Sequence, residues 1–177
     1  MQNSMRITIF LVLFLGQFTE ALAATTLNGR EARAVLQTHN TYRASVGVPK
    51  LKADTTVAKS AFKWATNLEN RNCPLEHSSA QERSGYGENL YAQWATPGLR
   101  FNPIEGVQIW GDEEADYTYA TNTCAAGKVC GHYTQVVWRE TTKMGCARTQ
   151  CLSDRNQIDI LVCQYSPAGN YLGIKPY

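Results

Sequence analysis

The sequence predicts an α+β fold, and three observations carry that expectation. Apolar residues recur at helical spacing early in the chain, and they alternate at strand spacing towards its end. All six cysteines follow an apolar leader. Helices first and strands afterwards place the helices over an antiparallel sheet. About 150 residues remain beyond the leader, enough to bury roughly 68–70% of the unfolded surface around one core.

Residues 1–23 read as a signal peptide. Arg6 supplies the positive charge, Ile7 to Gly16 the apolar run, and Ala21-Leu22-Ala23 the small-x-small cleavage pattern. A run of about ten residues is half of what a membrane-spanning helix needs. The expected product is secreted, not membrane-spanning, with one domain over residues 24–177.

Arg30 to Val46 is the first expected helix, with Ala32, Val35, Leu36, His39, Tyr42 and Val46 on one stripe; Gly47 and Pro49 stop it. Asp54 is an N-cap for the second, whose inner face is Val57, Ala58, Ala61, Trp64, Ala65 and Leu68 and which ends near Asn72. Residues 73–101 read as a long structured loop around Gly87-Glu88-Asn89-Leu90-Tyr91. Asn102-Pro103-Ile104-Glu105 combines an N-cap, a first-turn proline and a glutamate three residues after the cap, which starts a third helix running to about Tyr117. Trp110, Glu113 and Tyr117 share one of its faces. Beyond a Cys124 to Cys130 loop, Tyr133 to Arg139, Met144 to Thr149 and Ile158 to Tyr165 are the expected strands.

Composition excludes several function classes. The net charge is +2 with the charges interspersed, so no basic run argues for nucleic acid. An even cysteine count in an exported chain reads as a disulfide framework, with about 15 pairings open to six cysteines. No Cys-x-x-Cys pair suggests a zinc knuckle or a redox site. Neither a Gly-x-Ser-x-Gly elbow nor a His-Glu-x-x-His motif occurs, and Ser78 and Ser79 beside His77 carry no other mark of an activated nucleophile. An enzyme is therefore not expected.

Four segments occur in a distinctive order: His39-Asn40-x-x-Arg43, Gly87-Glu88-Asn89-Leu90-Tyr91, Gly131-His132-Tyr133-Thr134-Gln135-Val136-Val137-Trp138, and Cys163-Gln164-Tyr165-Ser166-Pro167-Ala168-Gly169-Asn170-Tyr171. In this order they resemble the signature blocks of the CAP superfamily (cysteine-rich secretory proteins, antigen 5 and pathogenesis-related class one), nearest the plant class. The resemblance covers nearly all of residues 27–177. It implies a three-layer α-β-α sandwich with helices flanking a small antiparallel sheet. It also implies the disulfides Cys73–Cys151, Cys124–Cys130 and Cys146–Cys163.

The resemblance further implies a cleft holding two histidines and two glutamates, which by motif position are His77, Glu88, Glu113 and His132. Two neutral imidazoles suit Zn²⁺, so His77 and His132 are the expected metal ligands, with no cofactor obligatory. The carboxylates then ligate or orient the imidazoles; alternatively the quartet is a buried polar staple. Glu113 is preferred to its neighbour Glu114 because it shares a face with Trp110 and Tyr117. His39, on an inward helical stripe, is expected to serve packing or a backbone contact.

Three functional readings follow from the resemblance. The first is a defence-related or antimicrobial protein, expected as a monomer, that binds a sterol or fatty acid or acts at a microbial cell surface. Tyr117-Thr118-Tyr119 and the Cys124–Cys130 loop are then candidate ligand contacts, against plain helix-end packing of the tyrosines. The second is a precursor of a C-terminal signalling peptide over residues 167–177; Ser166 departs from the aspartate of such relatives, and packing of the tail across the sheet is preferred. The third is a metal-dependent hydrolase.

Overall fold

A computed structural model describes residues 25–153 and 155–177. The expected signal peptide lies outside them. Helix α1 (Gly29–Ser45) starts in a full capping box: the Asn28 side chain accepts from the Arg30 and Glu31 amides, and the Glu31 carboxylate accepts from the Asn28 amide. Helix α2 (Thr55–Asn70) is capped by Asp54, which accepts from Thr56 and Val57. It buries Val57, Ala61, Trp64, Ala65 and Leu68, five of the six residues expected on its inner face.

The strands are β1 (Thr25–Thr26), β2 (Lys52–Ala53), β3 (Gly87–Ala95), β4 (Tyr117–Thr118), β5 (Thr123–Cys124), β6 (Lys143–Leu152) and β7 (Gln157–Ser166). The main sheet has five strands in the order β1-β6-β7-β3, with β2 parallel to β6. One face carries a core of Val35, Val107, Trp110, Tyr133, Val136 and Leu161 beneath α1, α3 (Pro103–Asp112) and α4 (Gly131–Val136). The other carries Ala61, Ala65, Leu68, Leu90, Ile160 and Val162 beneath α2. This is the three-layer sandwich, with all three implied disulfides formed. At Gly145 a Cβ would collide with the Ala58 backbone, so the glycine lets α2 lie directly on β6.

Four sequence expectations are corrected. Residues 87–95 form an edge strand paired with β7 from Gly87↔Tyr165 to Ala95↔Gln157, not part of a loop. Its polar Glu88, Asn89 and Gln93 break the apolar alternation. The segment from Tyr133 begins inside helix α4, not as a strand: buried Tyr133, Val136 and Val137 follow i, i+3, i+4 spacing. The third helix ends at Asp112; Glu113–Asp116 continue as a 3-10 turn, and Tyr117 and Tyr119 belong to the β4–β5 hairpin, not a helix end. The tail packs over α4 and that hairpin, not across the sheet. There Gly169 N–H donates to Gln135, Arg139 N–H donates to the Pro176 carbonyl, and Tyr119 stacks on Tyr177 at 4.5 Å.

Two residues of the first motif are buried whole. Arg43 donates to the carbonyls of Pro49, Val136, Trp138 and Thr141, at 2.7–3.0 Å, and so ties the end of α4 to α1. Burial lowers its pKa to about 10, which leaves it cationic at neutral pH. His39 has the packing and backbone role expected: Nδ1–H donates to the Val35 carbonyl and Nε2 accepts from the Tyr165 hydroxyl, both at 2.8 Å.

Burial pushes the His39 imidazole down to about 4, helped by the Arg43 charge and opposed by the Val35 carbonyl. An unfolded histidine takes up its proton near 6.5, so below that pH the unfolded chain binds more protons than the native one. The stability that neutral His39 contributes is present above about 6.5 and is lost as pH falls towards 4, a loss of about 3 kcal/mol. Urea unfolding at pH 7, 5 and 4 is expected to show a shallower acid decline for His39→Gln than for the wild type; parallel declines would contradict this.

Candidate functional site

The first pair forms where the segment after α2 meets the edge strand. The Cys73–Cys151 disulfide ties this segment to β6, and Trp64 Nε1–H holds it by donating to the Glu76 carbonyl at 3.0 Å. His77 is thereby set against Glu88, the second residue of β3. The Glu88 side chain is 1% exposed and accepts four hydrogen bonds: His77 Nδ1–H at 2.9 Å, the Ser78 amide at 2.9 Å, the Ser78 hydroxyl at 2.7 Å and Gln164 Nε2–H at 2.9 Å. Burial opposes its ionisation, but these donors outweigh it and hold the carboxyl below its usual range. Gln164 Oε1 is the one buried side-chain polar atom without a partner among the described residues.

The second pair joins α4 to the turn after α3. Glu113 Oε2 accepts from the backbone amides of His132 and Tyr133, at 3.0 and 3.1 Å, satisfying donors at the start of α4. Its Oε1 accepts from His132 Nδ1–H at 2.6 Å. The His132 ring stacks on Trp110 at 6.1 Å, and Trp110 Nε1–H donates to the Leu90 carbonyl on β3.

The four residues expected in one cleft stand as two separate pairs, His77–Glu88 and His132–Glu113. Asn89, next to Glu88, links them by donating to the His132 carbonyl at 3.1 Å. Among the described residues no hydrogen bond or ring contact joins His77 to His132 directly. A pocket of about 360 Å³ beside His77 and Glu88 is walled by Arg83, Gln135, Gly169 and Asn170; His132 and Glu113 lie outside its lining. At Gly87 a Cβ would strike the Gln135 amide, so the glycine admits α4 against β3.

Each carboxylate only accepts, so it fixes the proton on Nδ1 and leaves the Nε2 lone pair free to face a ligand. Among the described residues no group of three or more His, Cys, Asp or Glu is arranged to hold an ion. A metal here would rest on the two imidazoles and on ligands from outside the chain. In the His77–Glu88–Ser78 cluster the carboxylate lies between imidazole and hydroxyl, whereas a nucleophilic triad puts the imidazole between. Ionisable groups stand out in the sequence, whereas the structural roles of Ser78, Asn89, Gln135 and Gln164 do not. Three of these stand inside the quoted motifs, where a buried-amide reading would have found them.

The sequence profile of the Cysteine-rich secretory protein family matches residues 36–165. The chain belongs to this CAP family. It is 44% identical over 142 residues to pathogenesis-related protein PRMS of Zea mays, covering 80% of each chain. To pathogenesis-related protein 1A of Nicotiana tabacum it is 46% identical over 142 residues, 80% of this chain and 78% of the relative. The CAP fold is shared with NaASP2, solved with Zn²⁺, at a TM-score of 0.65 and 26% identity over 90% of this chain and 88% of that one. The chain is thus a pathogenesis-related CAP domain, consistent with a role in defence.

Proposed function

We propose that this CAP protein is a secreted binding protein of the pathogenesis-related type, and that its His/Glu site takes a divalent metal through Nε2 of His77 and His132. One observation carries the reading: both imidazoles give Nδ1–H to a carboxylate, at 2.9 and 2.6 Å, which is how metal-ligating histidines are oriented. Bound zinc would supply a Lewis-acidic centre with positions open to an outside ligand. The protein's own residues hold the imidazoles aimed, through Ser78 and Gln164 on Glu88 and through the α4 amides on Glu113. Three disulfides suit the oxidising environment outside the cell.

Zinc titration by calorimetry near pH 7.5 is expected to show binding that weakens on acidification, as imidazole protonates. His77→Ala/His132→Ala is expected to abolish it, and Glu113→Gln to weaken it by about 10- to 100-fold. Unchanged binding in the double variant would overturn the reading.

A second reading, capture of an apolar ligand such as a fatty-acid chain, is favoured by a separate pocket. It measures about 210 Å³ between α1, α2 and β6, with Leu27, Val35, Leu36, Ala58 and Met144 in its walls.

A further inference from the structure

Folding gathers three arginines that the sequence holds far apart. Arg30 opens α1, Arg100 stands just before α3 and Arg148 lies within β6, yet all three line one cavity of about 650 Å³. A second basin of about 200 Å³ shares Arg100, Phe101 and Arg148 with it, so the two form one elongated groove. The groove shares no residue with the His/Glu pocket.

The charge within it is unbalanced. Glu31 is the acidic residue of the larger basin; one of its oxygens caps the Asn28 amide and the other is 3.7 Å from Arg148. Asp159, the acidic residue lining the smaller basin, is buried and accepts from Gln150 Nε2–H at 2.8 Å and from Gln157 Nε2–H. The side chains of Arg30 and Arg100 have no hydrogen bond or ion pair among the described residues. The approach of Arg100 is fixed, because Gly98 N–H donates to Gln157 Oε1 and Gln157 Nε2–H donates to the Leu99 carbonyl. Phe101, stacked on Tyr91 at 6.1 Å, adds a half-buried apolar face beside the guanidinium groups.

Like charges in a concave site focus a field that attracts anions, and guanidinium forks match carboxylates in a bidentate way. Three forks spread over two joined basins exceed what one small anion engages. A concave groove also fits an extended chain better than a flat bilayer, and a net charge of +2 is too small for a phosphate-tracking surface. The aromatic face suits the apolar side of a sugar ring. We infer that this groove binds an acidic polysaccharide, a sugar chain bearing carboxylates at intervals.

The test uses the full secreted chain and an oligogalacturonate of about ten sugars in calorimetry at low salt, with its methyl ester and inorganic phosphate as comparison arms. The acidic oligomer is expected to bind, to weaken at about 0.15 M salt, and to lose at least about tenfold in affinity in Arg30→Ser/Arg100→Ser/Arg148→Ser. Should that variant fail to fold, Arg100→Glu, on an exposed side chain, is expected to weaken binding by at least about fivefold. Zinc binding stays unchanged in either variant, which separates this groove from the His/Glu site. Equal affinity in the arginine variants, equal binding of the methyl ester, or phosphate binding as tightly as the oligomer would overturn the proposal.

Discussion

Replacing Arg43 with methionine is expected to destabilise the protein by about 4 kcal/mol, among the largest effects of any single change. Arg43 is wholly buried and, among the described residues, no carboxylate pairs with it; its partners there are four carbonyl oxygens. Two of them, on Val136 and Trp138, lie at the end of α4, where the helix leaves its carbonyls unsatisfied and its dipole favours a cation. Methionine fills much of the volume but donates nothing, so up to four buried acceptors lose their partner, at about 1–3 kcal/mol each before relaxation. Lysine keeps the charge but lacks the fork that reaches four oxygens from one plane, so Arg43→Lys is expected to restore less than half of the loss. Urea denaturation of both variants decides it; a cost for Arg43→Met under about 1 kcal/mol would contradict the assignment. Because α4 carries His132, the methionine variant is also expected to bind zinc more weakly.

The second large effect is loss of the Cys73–Cys151 bridge. It closes a separation of 78 residues, whereas Cys124–Cys130 closes 6. In the chain-entropy account, removing the long bridge by Cys73→Ala/Cys151→Ala costs about 4 kcal/mol and removing the short one about 2 kcal/mol. The long bridge also anchors the segment that delivers His77, so its loss is expected to weaken metal binding as well. Thermal unfolding of the two double variants gives the order, and a larger loss from the short bridge would show that tail docking outweighs chain entropy.

Much of this architecture was legible in the chain itself. Asp54 starts α2 because its side chain satisfies free amides, and the α2 stripe names the buried face. On α1 the stripe gives buried Val35 and His39 and half-buried Leu36, Tyr42 and Val46, but it includes exposed Ala32 and leaves out buried Arg43. What stayed hidden was set by tertiary contact. Gly87–Ala95 is a strand because β7 pairs with it, although Glu88 and Asn89 spoil its apolar pattern. Helix α4 is too short to persist alone and exists because Glu113 satisfies its first amides and Arg43 its last carbonyls, neither of them local in sequence. The quartet residues were legible by motif, but that they meet as two histidine–carboxylate pairs depends on the same long-range contacts. The three-arginine groove had no trace in the sequence, where its members stand apart.

In the proposed site two carboxylate-held imidazoles offer their Nε2 atoms to one metal. Long-range ¹⁵N–¹H NMR of the imidazoles, with and without zinc, tests it most directly. In the metal-free protein His77 and His132 should both carry the proton on Nδ1, and one equivalent of zinc should shift both Nε2 resonances together. A proton on Nε2 in either ring, or a shift of one histidine alone, would contradict the account.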